Sequence, residues 1–183
     1  MTPAQSIVLD FTRNHFELFG LPASYAIDPA ALERAYRELQ RTVHPDRHAT
    51  SGDAARRLAL QAAARVNEGY RVLGDPVERA RYLLELRGVD AFDETDTSLD
   101  PGFLERQLER RERATDAADA GDAKALETLL AEVRHDAARV EAAVAEALAS
   151  PARLAEARAR VRELRFLGKV ADDVGALLAE VDA

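Results

Sequence analysis

Between residues 101 and 181 the chain offers only two places to turn. Helix-period stretches run over about 101–119, 122–149 and 151–181, and the punctuation between them is Gly121-Asp122 and Ser150-Pro151. A glycine closes one helix, a proline opens the next, and connections this short make consecutive helices antiparallel neighbours. The expected fold of this half is a three-helix bundle. Composition agrees: 47% of the 183 residues are hydrophobic, much of that alanine, while only 5% are aromatic. Such a chain favours helices over sheets, and the fold class is all-α.

The N-terminal half reads as a second, smaller helical unit. "HFELFGLP" (15–22) is a short apolar segment closing on Gly20 and Pro22. "DPAALERAYRELQRTV" (28–43) starts with Asp28 as N-cap and Pro29 at the first helical position. Leu32, Ala35, Tyr36, Leu39 and Val43 share its apolar face, and Arg34, Arg37 and Arg41 lie on the opposite side. Pro45 ends this helix, because the residue before a proline is pushed out of the α region. A second long helix follows over 54–74, with Leu58, Ala62, Arg65, Val66, Tyr70 and Leu73 near one face and Gly74 as its cap. A shorter helix spans 77–88. The stretch 89–100, "VDAFDETDTSLD", has five acidic residues, no basic ones and no helical stripe, and is read as the boundary. The expected organisation is an extension over 1–14, a first domain over 15–88, an acidic linker over 89–100 and the bundle over 101–183.

Charge is divided unevenly. Residues 1–90 carry 12 Lys+Arg and 12 Asp+Glu, whereas 91–183 carry 13 and 21. An acidic half argues against nucleic acid as the main partner and favours proteins. The absence of cysteine removes disulfides and thiolate metal sites and fits a reducing cytoplasm. No run approaches the length of a membrane span, and "MTPAQSIVLDFTRN" lacks the basic and apolar regions of a secretion signal, so neither membrane nor export is expected.

His44-Pro45-Asp46, between the two long helices of the first domain, admits four readings: metal site, catalytic pair, simple turn or contact surface. His44 and His48 have i, i+4 spacing, but Pro45 breaks the helix that would align them, and Asp46 is the only third ligand nearby. No nucleophile elbow or phosphate-cradling glycine loop accompanies a catalytic pair. On the tripeptide alone, turn and contact surface both stay open.

The wider context carries a resemblance. An arginine-bearing helix, HPD in the loop, an antiparallel helix containing "VNEGYRVLGDPVERARY" and a short helix after it resemble the J-domain. Asn67, Tyr70, Leu73, Asp75-Pro76 and Arg79 follow that pattern as well. With "HFELFGLP" before it, and "RARYLLELRG", "FLERQLERRE" (103–112) and "VRELRFLGKV" (161–170) after it, the chain resembles the HscB family of iron–sulfur cluster co-chaperones, in its bacterial form. The resemblance implies a J-domain and a three-helix bundle in an L-shaped arrangement, with no catalytic centre, metal or cofactor of its own. It implies that His44, Pro45, Asp46, Arg34, Arg37, Arg41 and Arg47 contact an HscA/DnaK-type chaperone and stimulate its ATPase. It further implies that an IscU-type scaffold is held by Leu104, Glu105, Leu108, Glu109, Glu112, Asp116 and Phe166. Glu105 and Asp116 depart from the family pattern at the edge of that surface. Periodicity speaks independently to one of these residues. Leu154, Ala157, Val161, Leu164 and Ala171 form the inward stripe of the last helix, and Phe166 falls on roughly the opposite face, so partial exposure is expected, with Val170 one turn away. The competing reading is a general J-domain protein whose bundle delivers unfolded clients, and a metalloenzyme built on His44, His48 and Asp46 is a third.

Overall fold

The computed structural model describes residues 10–43, 52–93 and 99–182. Among these there is no strand, and seven helices follow one another: α1 (His15–Leu18), α2 (Pro29–Val43), α3 (Asp53–Gly74), α4 (Pro76–Glu85), α5 (Pro101–Asp119), α6 (Ala123–Leu148) and α7 (Leu154–Val181). The chain divides into two compact units between Arg79 and Ala80, inside α4. The acidic stretch was expected to mark the boundary. Its described beginning is instead fastened to the bundle: Arg162 donates to the carbonyls of Ala91 (2.8 Å) and Asp93 (3.2 Å), and the Arg165 guanidinium lies 4.4 Å from the Phe92 ring centre. Periodicity cannot announce such a strap, because its partners are arginines some seventy residues away.

In the first unit, α2 and α3 pack side by side. Tyr70 pairs with Glu33 and Asn67 with Tyr36, so partners descend on α3 as they ascend on α2, and the helices are antiparallel. Leu32 and Val43 of α2, and Ala59, Ala62, Val66, Val72 and Leu73 of α3, are buried. Leu58, expected on the inward stripe of α3, is 43% exposed, and Ala59 takes the inward place beside it. α1 is set by a capping box, in which Asn14 and Glu17 each bond the other's backbone N–H. It rests on α3 at Gly69, where a Cβ would stand 2.8 Å from Phe19 Cε2 and 2.9 Å from His15 Nδ1. Glycine is there for proximity: the rings occupy the space of a side chain. Arg79 closes the unit by donating to the carbonyl of Leu73 at the end of α3 (2.7 Å) while lying over Tyr25.

The second unit is the expected bundle, and its turns lie where the dipeptides stand. Gly121 takes φ +65°, a left-handed conformation that glycine adopts without strain, and Asp122 N–H reaches back to the Ala117 carbonyl at 2.8 Å. The Asp122 carboxylate then accepts from Ala125 N–H and caps α6. Ser150 is extended, and Pro151 opens a 3₁₀ turn (Pro151–Arg153) that runs into α7. α5 begins on Asp100, whose side chain accepts from Phe103 N–H at 2.7 Å. Arg113 to Glu132 and Arg110 to Asp136 show α5 and α6 antiparallel. Phe103, Leu126, Leu129, Leu130, Val133, Leu167 and Val174 form the core, with Ala114 and Ala117 letting α5 approach. α5 has 19 residues, α6 has 26 and α7 has 28. The hairpin of α6 and α7 is thus longer than α5, and the strap from Arg87 to Asp93 lies on it, Arg87 donating to the Leu148 carbonyl.

Candidate partner-binding surfaces

On α2, Arg34, Arg37 and Arg41 are all exposed, as their spacing predicts. Arg34 lies 3.5 Å from the Asp28 carboxylate, and Arg37 Nε donates to Glu33 Oε1 at 2.7 Å. The other Glu33 oxygen accepts from Tyr70 Oη–H at 2.6 Å. The Tyr70 hydrogen bond, then that of Arg37, holds the Glu33 carboxyl below the usual range, and the same bond raises Tyr70. Tyr70 stacks on Tyr36 with ring centres 4.2 Å apart, Tyr36 donates to Asn67, and Gln40 donates to Tyr36. These side chains tie α2 to α3 beside the basic face. Asn67 and Tyr70, quoted in the sequence as part of a pattern, thereby acquire a physical role in fixing where the arginines stand. Arg41 lies in the last turn of α2, where a cation suits the helix dipole. His44, Pro45, Asp46 and Arg47, with His48, lie outside the described residues. Among the described residues no group of three or more His, Asp or Glu is placed to hold a metal ion, and no helix is long and apolar enough to cross a membrane.

On the bundle, Leu104 is 42% exposed, Leu108 60% and Phe166 36%. These are large apolar side chains that the fold leaves outside, and the reading of Phe166 from helical spacing holds. The structure brings Phe166 to the first turn of α5: its ring meets that of buried Phe103 edge-on, with centres 5.7 Å apart. This geometry is favourable for aromatic pairs and gives Phe166 a fixed seat. Val170 adds nothing to the exposed patch, because it is half-buried against the core. Glu105, Glu109, Glu112 and Asp116 are exposed along α5 at spacings of four, three and four, so they form one acidic stripe beside the leucines. An apolar centre with an acidic border suits a protein partner that offers apolar side chains flanked by cations.

Behind this surface the structure shows what motif reading passed over. The inward residues of α5 are Phe103, Gln107, Arg110, Ala114 and Ala117. Their regular spacing was visible, but an arginine among them reads as a charged face until its partner is known. Arg110 is 9% exposed and donates to Gln107 Oε1 and to the Asp136 carboxylate of α6. Arg113 grips Glu132 with two bonds, at 2.8 and 3.1 Å. Their guanidinium partners hold Asp136 and Glu132 below the usual carboxylate range.

Comparison with known proteins covers both surfaces. Residues 14–82 match the model of the DnaJ domain, and residues 99–175 match that of the HSCB C-terminal oligomerisation domain. The chain is 50% identical over 170 residues to a "Co-chaperone protein HscB homolog" of Burkholderia multivorans and 49% identical to that of Burkholderia vietnamiensis, each alignment covering 92% of this chain and 96% of the relative. Among solved structures it is similar to the chaperone HscB from Vibrio cholerae (TM-score 0.83, 33% identity, 92% of this chain and 99% of that one). It is also similar to the human co-chaperone protein HscB (TM-score 0.83, 26% identity, 91% of this chain and 83% of that one).

Proposed function

The chain belongs to the HscB family of J-domain co-chaperones, and from that premise we propose that it couples an IscU-type iron–sulfur scaffold to an HscA/DnaK-type chaperone in the cytoplasm. The bundle face of Leu104, Leu108 and Phe166, bordered by Glu105, Glu109, Glu112 and Asp116, holds the scaffold. The J-domain engages the chaperone through Arg34, Arg37, Arg41, Arg47 and the His44-Pro45-Asp46 tripeptide, and stimulates hydrolysis that takes place in the chaperone. Arg34, Arg37 and Arg41 together carry the long-range attraction to an acidic chaperone surface. Asp46 anchors the loop contact, a carboxylate being able to accept two parallel bonds from an arginine. The chain performs no chemistry; it binds one state of the chaperone better than another and shifts the balance between them.

The observation that supports this reading best is the pair of outward leucines beside Phe166 in a unit with a core of its own. Burying a leucine or phenylalanine is worth roughly 1.5–3 kcal/mol, and each 1.4 kcal/mol is tenfold in affinity. The Leu104→Ala/Leu108→Ala/Phe166→Ala variant is therefore expected to lose about a hundredfold or more in calorimetric affinity for purified scaffold, with its helicity intact. Asp46→Asn is expected to keep scaffold affinity and lose stimulation of ATP turnover. Undiminished affinity in the folded triple variant, together with broad binding of denatured polypeptides, would replace the scaffold reading with general client delivery.

A further inference from the structure

Four cations of α7 fall on one helical stripe. Arg158, Arg162, Arg165 and Lys169 are spaced four, three and four residues apart, so they share a face. The first three are turned to the strap. Arg158 lies 3.8 Å from the Asp93 carboxylate, Arg162 donates to the carbonyls of Ala91 and Asp93, and Arg165 lies over the Phe92 ring. Lys169 is the exception. It is exposed, and among the described residues no hydrogen bond or ion pair holds it, although exposed Asp172 and Asp173 stand one turn further on.

Its neighbour gives this cation a use. Lys169 is three residues past Phe166 and so stands one turn along the same side of α7. Phe166 meets Phe103 in the first turn of α5, where Leu104 begins the exposed apolar surface. The acidic stripe lies on the other flank. Arg110 and Arg113 mark the side of α5 that faces α6. Going round α5 from Arg113 at about 100° per residue, the four carboxylates come first, and Leu108 and Leu104 follow. The leucines and Phe166 therefore have anions on the α6 flank and a free cation on the α7 flank.

We propose that Lys169 is the basic border of this surface and receives a carboxylate of the scaffold. Docking then selects a partner with cations on one side of its apolar residues and an anion on the other. This rests on the reading of the surface given above. An apolar patch by itself accepts a partner either way round. Borders of opposite sign do not, because the reversed pose sets like charges face to face.

The chain has only two lysines, Lys124 and Lys169, both exposed, and this makes a direct test possible. A zero-length carbodiimide joins an amine to a carboxylate that it touches. Treating the full chain with purified IscU-type scaffold, followed by peptide mass spectrometry, is expected to give an amide between Lys169 and a scaffold Asp or Glu, and none from Lys124. By calorimetry and stopped-flow association at low salt, Lys169→Ala is expected to lose about threefold in affinity and Lys169→Glu about tenfold, chiefly in the association rate. Both losses should vanish at about 1 M salt, where the Debye length is about 3 Å. Lys124→Glu makes the same change in net charge at the start of α6, and is expected to bind like the parent. Changing the cross-linked scaffold carboxylate to lysine should restore binding to Lys169→Glu. Unchanged affinity in Lys169→Glu, a loss that persists at high salt, or the absence of a Lys169 cross-link overturns the proposal. The Leu104→Ala/Leu108→Ala/Phe166→Ala variant separates this from failure of the underlying reading. If it binds like the parent, the surface is misassigned and the proposal falls with it. If it loses affinity while Lys169→Glu does not, the surface stands and Lys169 is no part of it.

Discussion

Gly69 is the position where one methyl group should do the most damage. In the interior of an exposed helix, replacing glycine with alanine stabilises by about 0.5–1 kcal/mol, because alanine loses less backbone entropy on folding. At Gly69 the new Cβ would stand 2.8 Å from the edge of the Phe19 ring and 2.9 Å from the His15 ring. Phe19 is 5% exposed and has no open side to move toward. Overpacking of this kind costs about 1–3 kcal/mol, so the helix gain is outweighed and a net loss of about 1–2 kcal/mol is expected. Gly168, inside α7, has nothing within 4 Å of its ideal Cβ and supplies the control. There the same substitution should stabilise by about 0.5–1 kcal/mol. Urea unfolding reads the two apart. The chain has four tyrosines and no tryptophan, and Tyr25, Tyr36 and Tyr70 lie in the first unit, so near-ultraviolet tyrosine dichroism reports mainly on that unit while far-ultraviolet dichroism reports on both. Gly69→Ala should lower the midpoint of the tyrosine signal, and Gly168→Ala should raise only the later or shared helical transition. An unchanged or raised tyrosine midpoint in Gly69→Ala would mean that α1 does not rest on α3 through that contact.

Two further outcomes follow from particular bonds. Asp122→Ala removes the cap that accepts from Ala125 N–H and should destabilise the bundle by about 1 kcal/mol, measured by thermal or urea unfolding, while Asp122→Asn should recover most of it. The carboxyls of Asp136 and Glu132 sit below their ordinary range, held there first by hydrogen bonds from Arg110 and Arg113 respectively. Their contribution is complete above the ordinary carboxylate range and is lost as pH falls through the lowered folded values. Asp136→Asn/Glu132→Gln should therefore unfold more easily than the parent at neutral pH, and the two stability curves should converge in acid; parallel curves throughout would refute the assignment.

Much of the fold was legible because it is local. Gly121-Asp122, Ser150-Pro151, Asp28-Pro29 and Asp75-Pro76 act on the backbone within one turn, through a fixed φ, a missing N–H or a carboxylate that reaches the nearest amides. The exposure of Phe166 was legible for a related reason: the apolar stripe of α7 lies on the other side of the helix, although Phe166 still meets Phe103 of α5 and Val170, one turn on, is half-buried. Leu58 shows where such counting slips, since it stands at the margin of the α3 stripe and only the packing of α1 and α2 decides which edge is covered.

The sequence by itself determined the helices, their ends, the two-domain composition and the motifs that place the chain in its family. Tertiary structure alone decided which face of α5 turns inward, how the first residues of the acidic stretch are strapped to α7, and that Tyr70 of α3 meets Glu33 of α2. The reason is common to all three. A side chain's partner in these cases lies on another element, 26 residues away for Arg110 and about seventy for Arg162, and a guanidinium reads as a solvated charge until the carboxylate or carbonyl opposite it is known.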